Sequence, residues 1–85
     1  MIKEIYTIPF QEGLHARPAK RLVEIARGAQ SKITLANKYG SSDAKGILGV
    51  MSLQATHGTE MEVLIEGDDE IEVATEIEKF FTQDE

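Results

Sequence analysis

His15 and Arg17, set in the run Gly13-Leu14-His15-Ala16-Arg17-Pro18-Ala19, are the residues of this sequence whose types and spacing could do chemistry together. Proline is tolerated in the first turn of a helix, where an N–H would lack an acceptor. Pro18 therefore predicts a helix beginning near Ala16, with His15 at the N-cap or just before it. The first N–H groups of a helix have no intrahelical acceptor. With the positive end of the helix dipole they form an anion site beside the imidazole, and the same field favours a neutral, nucleophilic ring. Arg17 brings a planar fork of donors that suits phosphoryl oxygens. Gly13 should let the loop fold closely around the ring. The chemistry implied is capture of a phosphoryl group on a histidine nitrogen; a histidine that merely caps a helix beside a surface arginine is the alternative.

Other chemistries have less support. His57, the one other histidine, is distant in sequence and has no carboxylate at ligand spacing, so no metal is expected. It reads as a polar residue of a surface loop. No base is placed for a nucleophilic triad, and no insertion would form a pocket for a small substrate. Neither an enzyme nor a cofactor is implied. With no cysteine, the chain has no disulfides or thiolate metal site.

The elements that must position His15 fit a single domain spanning residues 1–85. Ile2 to Ile8 reads as a strand, with Tyr6 and Ile8 inward and Glu4 awkwardly on their side. A helix from Ala16 to Arg27 buries Ala19, Leu22, Val23 and Ala26, and Gly28 is the expected stop. Lys32 to Ala36 is a second strand, Asn37 to Gly40 a turn, and the polar segment Ser41 to Ala44 at most a short edge strand. Ile47 to Leu53 suggests a turn or two of helix. Glu60 to Glu66 is a clear strand, with Met61, Val63 and Ile65 alternating with glutamates. Asp69 and Glu72 have capping-box spacing ahead of a helix reaching about Phe81. The order βαββαβα predicts an α+β fold, one sheet with helices on a single face.

Charge is unevenly spread. The net charge is −6, yet basic residues gather between Arg17 and Lys45 and acidic ones crowd the end from Glu60 to Glu85. A chain of this balance without interleaved aromatics is a poor nucleic-acid binder, whereas the early cluster could meet an acidic protein. Met1 to Phe10 lacks the pattern of a secretion signal, and no apolar run suits a membrane helix. A cytoplasmic protein without membrane insertion is expected.

The run around His15 resembles the active-site signature of HPr, the histidine-containing phosphocarrier family of the bacterial phosphoenolpyruvate-dependent phosphotransferase system. The stretch Lys45-Gly46-Ile47-Leu48-Gly49-Val50-Met51-Ser52-Leu53 is similar to that family's second signature. The resemblance implies an open-faced β-sandwich, a four-stranded antiparallel sheet with three helices on one face. It implies that enzyme I phosphorylates His15 at Nδ1 and that His15 passes the group to IIA domains of sugar transporters. Arg17 would hold the phosphoryl group and Pro18 would fix the helix start. Ile47, Leu48 and Met51 would form an exposed apolar patch for both partners, with Lys20, Arg21 and Arg27 adding charge complementarity; Val50 and Leu53 read as core. A regulatory binding module is the alternative from another class, as is a carrier for a nitrogen-related or dihydroxyacetone-kinase branch. The regulatory branch of the family replaces the histidine with glutamine, and this sequence keeps it.

Two positions depart from the family pattern. Glu12 stands where a small polar residue is usual, and a carboxylate there would repel a phosphoryl group. Gly46 stands where many relatives carry a serine phosphorylated by a dedicated kinase. Glycine can still serve as an N-cap at a cost of a few tenths of a kcal/mol, so the short helix survives without the acceptor hydroxyl. Phosphopeptide mapping after incubation with such a kinase is therefore expected to find no added phosphate on residues 41–52.

Overall fold

Alternation along Glu60–Glu66 turns Met61, Val63 and Ile65 into the buried face of an interior strand and leaves the glutamates outward. In the computed structural model, which describes residues 1–82, the elements are β1 (Ile2–Thr7), α1 (Ala16–Gly28), β2 (Lys32–Asn37), β3 (Gly40–Asp43), α2 (Ile47–Ser52), β4 (Glu60–Glu66) and α3 (Glu70–Thr82). Asp84 and Glu85, the end of the acidic run, lie outside the described residues. The strands form one antiparallel sheet in the order β1-β4-β2-β3. The register places Tyr6 opposite Met61, Val63 opposite Leu35 and Ile65 opposite Ile33. These inward residues join the buried stripes of all three helices in a single core. The helices thus cover one face, as expected, and the other is open.

Position in the sheet explains the irregular first strand. β1 is an edge, so Glu4 stays exposed although it shares a side with Tyr6, and Ile5 on the opposite face is 58% exposed. The polar segment after the turn is the other edge strand, β3. In the turn itself, the Asn37 side-chain carbonyl accepts the Tyr39 N–H at 2.9 Å, an Asx turn.

Two helix ends differ from the sequence reading. Gly28 is the last residue of α1, not a left-handed stop. The helix ends because Ala29 is extended, its N–H still reaching the Ala26 carbonyl at 3.2 Å. The capping box expected between Asp69 and Glu72 is not formed either. The backbone carbonyl of Asp69 accepts the Val73 N–H at 3.0 Å, but its carboxylate turns away to the connection between α1 and β2. There it accepts the N–H groups of Gln30 and Ser31, both at 2.9 Å, and the Ser31 hydroxyl at 2.5 Å. Satisfying the fully buried Ser31 outweighs a local cap. Glu70 makes the three-residue reach-back instead, accepting the Gly67 N–H at 3.2 Å.

The Ser31 hydroxyl and the Gln30 N–H hold the Asp69 carboxyl below its ordinary value of 3.8. A carboxyl lowered by folding stabilises the fold fully above its unfolded value, and the contribution is lost as pH falls through the lower, folded one. Asp69→Asn should therefore lower Tm at pH 7, and its deficit relative to the parent should shrink as the pH drops below about 4. Thermal melts of both proteins across pH 3–7 check this; a deficit unchanged with pH would contradict it.

Candidate functional site

His15 is the N-cap of α1, with φ −78° and ψ −170°, and its carbonyl accepts the Ala19 N–H at 2.9 Å. Ala16 and Arg17 are the first two helical residues, so their N–H groups have no intrahelical acceptor. Pro18 stands third, buried against the core, and supplies no donor. The helix tip beside the imidazole therefore offers the N–H groups of Ala16 and Arg17, while the Arg17 side chain is exposed.

The loop that delivers His15 is tied to the segment after α2. Leu14 N–H donates to the Ala55 carbonyl at 2.8 Å and Gly13 N–H to Phe10 at 2.9 Å. Farther back, Ile8 N–H donates to Thr59 at 2.8 Å and Gly58 N–H to Ile8 at 2.9 Å. Gly13 has φ +75°, and a Cβ on it would lie 2.5 Å from the Ala55 oxygen and 3.1 Å from the Thr56 Cα. The expectation that Gly13 makes room for the histidine ring is thus corrected: the room it makes is for the backbone of residues 55–56.

This junction brings α2 to the histidine. His15, Glu12, Leu14, Met51, Gln54, Ala55 and Thr56 line one open depression of about 220 Å³. Of the three residues expected in an exposed patch, Leu48 is 82% and Met51 41% exposed, but Ile47 is corrected to partly buried, because it opens α2 on the side that packs on the core. Val50 and Leu53 are buried, as the spacing suggested. Gly46 is the N-cap of α2 through its backbone alone, its carbonyl accepting the Val50 N–H at 3.0 Å.

The basic residues of α1 diverge. Lys20 is exposed. The Arg27 Nε donates to the Lys45 carbonyl at 3.0 Å, bridging toward the start of α2. Arg21 leans the other way, its guanidinium 5.6 Å from the centre of the Phe80 ring on α3. Arg27 thus reaches toward the start of α2, Arg17 and Lys20 are exposed on α1, and Arg21 belongs to the packing between α1 and α3. His57 is exposed in the loop before β4. Among the described residues, no group of three or more His, Cys, Asp or Glu side chains could hold a metal ion.

The sequence reading missed Gln54, Ala55 and Thr56 beside His15. None has a side chain that announces chemistry, and their placement depends on a hydrogen bond between distant backbone segments.

The whole arrangement matches known proteins. Residues 2–83 match the family model described as the PTS HPr component phosphorylation site. The chain is 37% identical over 81 residues to the phosphocarrier protein HPr of Treponema pallidum (strain Nichols), covering 95% of this chain and 92% of that one. It is 41% identical over 70 residues to the phosphocarrier protein HPr of Xylella fastidiosa (strain Temecula1 / ATCC 700964), covering 82% and 79%. The crystal structure of HPr-C-His from Thermoanaerobacter tengcongensis superposes with a TM-score of 0.90 at 33% identity, covering 95% and 91%. With its fold, length of match and sequence in agreement, this chain belongs to the HPr family of phosphotransferase-system phosphocarriers.

Proposed function

We propose that His15 carries the phosphoryl group, received from phosphorylated enzyme I and passed to IIA domains of sugar transporters, and that residues 1–85 act in the cytoplasm as one unit. The observation that carries this reading is His15 at the tip of α1, with the Ala16 and Arg17 N–H groups beside it. On acceptance, the Nδ1 lone pair forms a bond to phosphorus. The bond from phosphorus to the donor atom breaks, and the donor atom keeps that electron pair. Delivery to the next acceptor reverses these roles. The N–H groups of Ala16 and Arg17 and the guanidinium of Arg17 hold the phosphoryl oxygens. Pro18 fixes the first turn in place.

Leu48 and Met51 form the apolar centre of the docking surface, with Ile47 supporting them from below and Lys20 and Arg27 giving a basic rim. Exposed apolar side chains beside a reactive group suit partner contact. Arg21 contributes through its packing on Phe80. Among the described residues, no helix is long and apolar enough to cross a membrane.

Intact mass after incubation with phosphoenolpyruvate, magnesium and enzyme I tests the reading. One acid-labile phosphoryl group is expected on the protein and none on His15→Ala. No gain with a competent enzyme I would leave a binding module acting through Leu48 and Met51. Glu12 shares the depression with His15, and its charge opposes the incoming phosphoryl group. In water a charge pair at ~4 Å is worth about 1 kcal/mol, so Glu12→Ser should speed acceptance by up to about fivefold in a stopped-time phosphorylation assay. An unchanged rate would remove Glu12 from the electrostatics of transfer.

A further inference from the structure

Gln54 follows the C-cap of α2 with φ 50°, and among the described residues it is the one non-glycine at positive φ. Its N–H donates to the Met51 carbonyl at 3.3 Å, closing the helix at the position where glycine is the usual occupant. A glutamine there is strained, because its Cβ crowds a carbonyl in the left-handed region. The core does not require it, since the residue is exposed. Strain of this kind persists chiefly where a site uses the residue.

The location supplies the use. Gln54 lines the depression that holds His15 and Glu12, and it also borders the wider groove on the open face of the sheet. Its amide carries two N–H donors and no charge. A phosphoryl group on His15 would have the Glu12 carboxylate on one side of it, and a neutral donor nearby offsets that repulsion. We propose that Gln54 is an additional phosphoryl-binding residue, its side-chain amide donating to the phosphoryl oxygens carried on His15. This inference rests on His15 being the carrier.

The test compares the parent with Gln54→Gly and Gln54→Asn, each phosphorylated by enzyme I and then freed of it. Glycine relieves the strain, so Gln54→Gly should melt at a higher temperature and remain folded. Its phosphohistidine should nevertheless hydrolyse about fivefold faster, a change that one charge-assisted hydrogen bond can supply, and its phosphorus NMR resonance should shift. Asparagine tolerates the backbone and keeps a shorter amide, so it should recover part of the lifetime. A glycine variant with the parent's lifetime and resonance would overturn the role of Gln54 while leaving His15 as carrier. A parent protein that gains no phosphate would overturn both.

Discussion

The placement of His15 beside α2 depends on one close approach, the backbone of Gly13 and Leu14 against that of Ala55 and Thr56. The Leu14 N–H to Ala55 carbonyl bond joins two loops more than forty residues apart in sequence. The absence of a side chain on Gly13 is what lets them meet at that spacing, and its positive φ turns the chain toward α1. Without this contact, His15 would still cap a helix, but it would not share a depression with Met51. A carrier needs both: an atom that reacts and a surface that brings the partner's atom to it. On the function proposed above they would come from different helices, fixed to each other by the Leu14 to Ala55 backbone bond.

The electrostatics of the site are local, not global. The chain as a whole is acidic, yet the exposed surface of α1 displays Arg17, Lys20 and Arg27, with Glu24 as the acid among them. Acidic side chains lie mainly on β4 and α3, outside the depression that holds His15. A partner within a Debye length of α1, about 8–10 Å at physiological salt, meets the basic end of the molecule more than its net charge. Glu12 is the exception within the depression, and Pro18 withholds one of the tip's donors, so the anion site is weaker than a helix end could provide. On the function proposed above, a modest site would suit a group that must be released as well as received.

Much of this was legible in the sequence. Periodicity marked β4 and α1, and the proline three residues after His15 located the helix start to within a residue. Helical spacing marked Val50 and Leu53 as core, while the exposed patch came from the resemblance, and of its three residues Ile47 is partly buried. What failed had a common cause. The Asp69–Glu72 pattern and the glycine at position 28 are local signals, the first overridden by a distant contact and the second by the path of the chain. Asp69 serves the buried Ser31 across the fold, and α1 ends where the chain must extend toward β2. Gln54 was invisible for a related reason: a left-handed glutamine leaves no mark in composition or period, and only the path of the chain after α2 reveals it. Edge position likewise decided which residues of β1 are covered, and strand order cannot be read from alternation.

The depression beside His15 is shallow and open to solvent, with no lid among the described residues. Water can therefore reach a group bonded to the imidazole from the side opposite the helix tip. On the function proposed above, an energy-rich nitrogen–phosphorus bond held in that setting would be a perishable cargo, whose loss to solvent would compete with delivery. Burying it would slow the leak but would also hide it from the next protein. An open bowl would resolve this by leaving the dry enclosure to be completed from two halves, one on the carrier and one on whichever protein docks. Fidelity would then reside in fit between surfaces during an encounter, and the resting carrier would need only to stay intact for the time it takes to diffuse from one to the next.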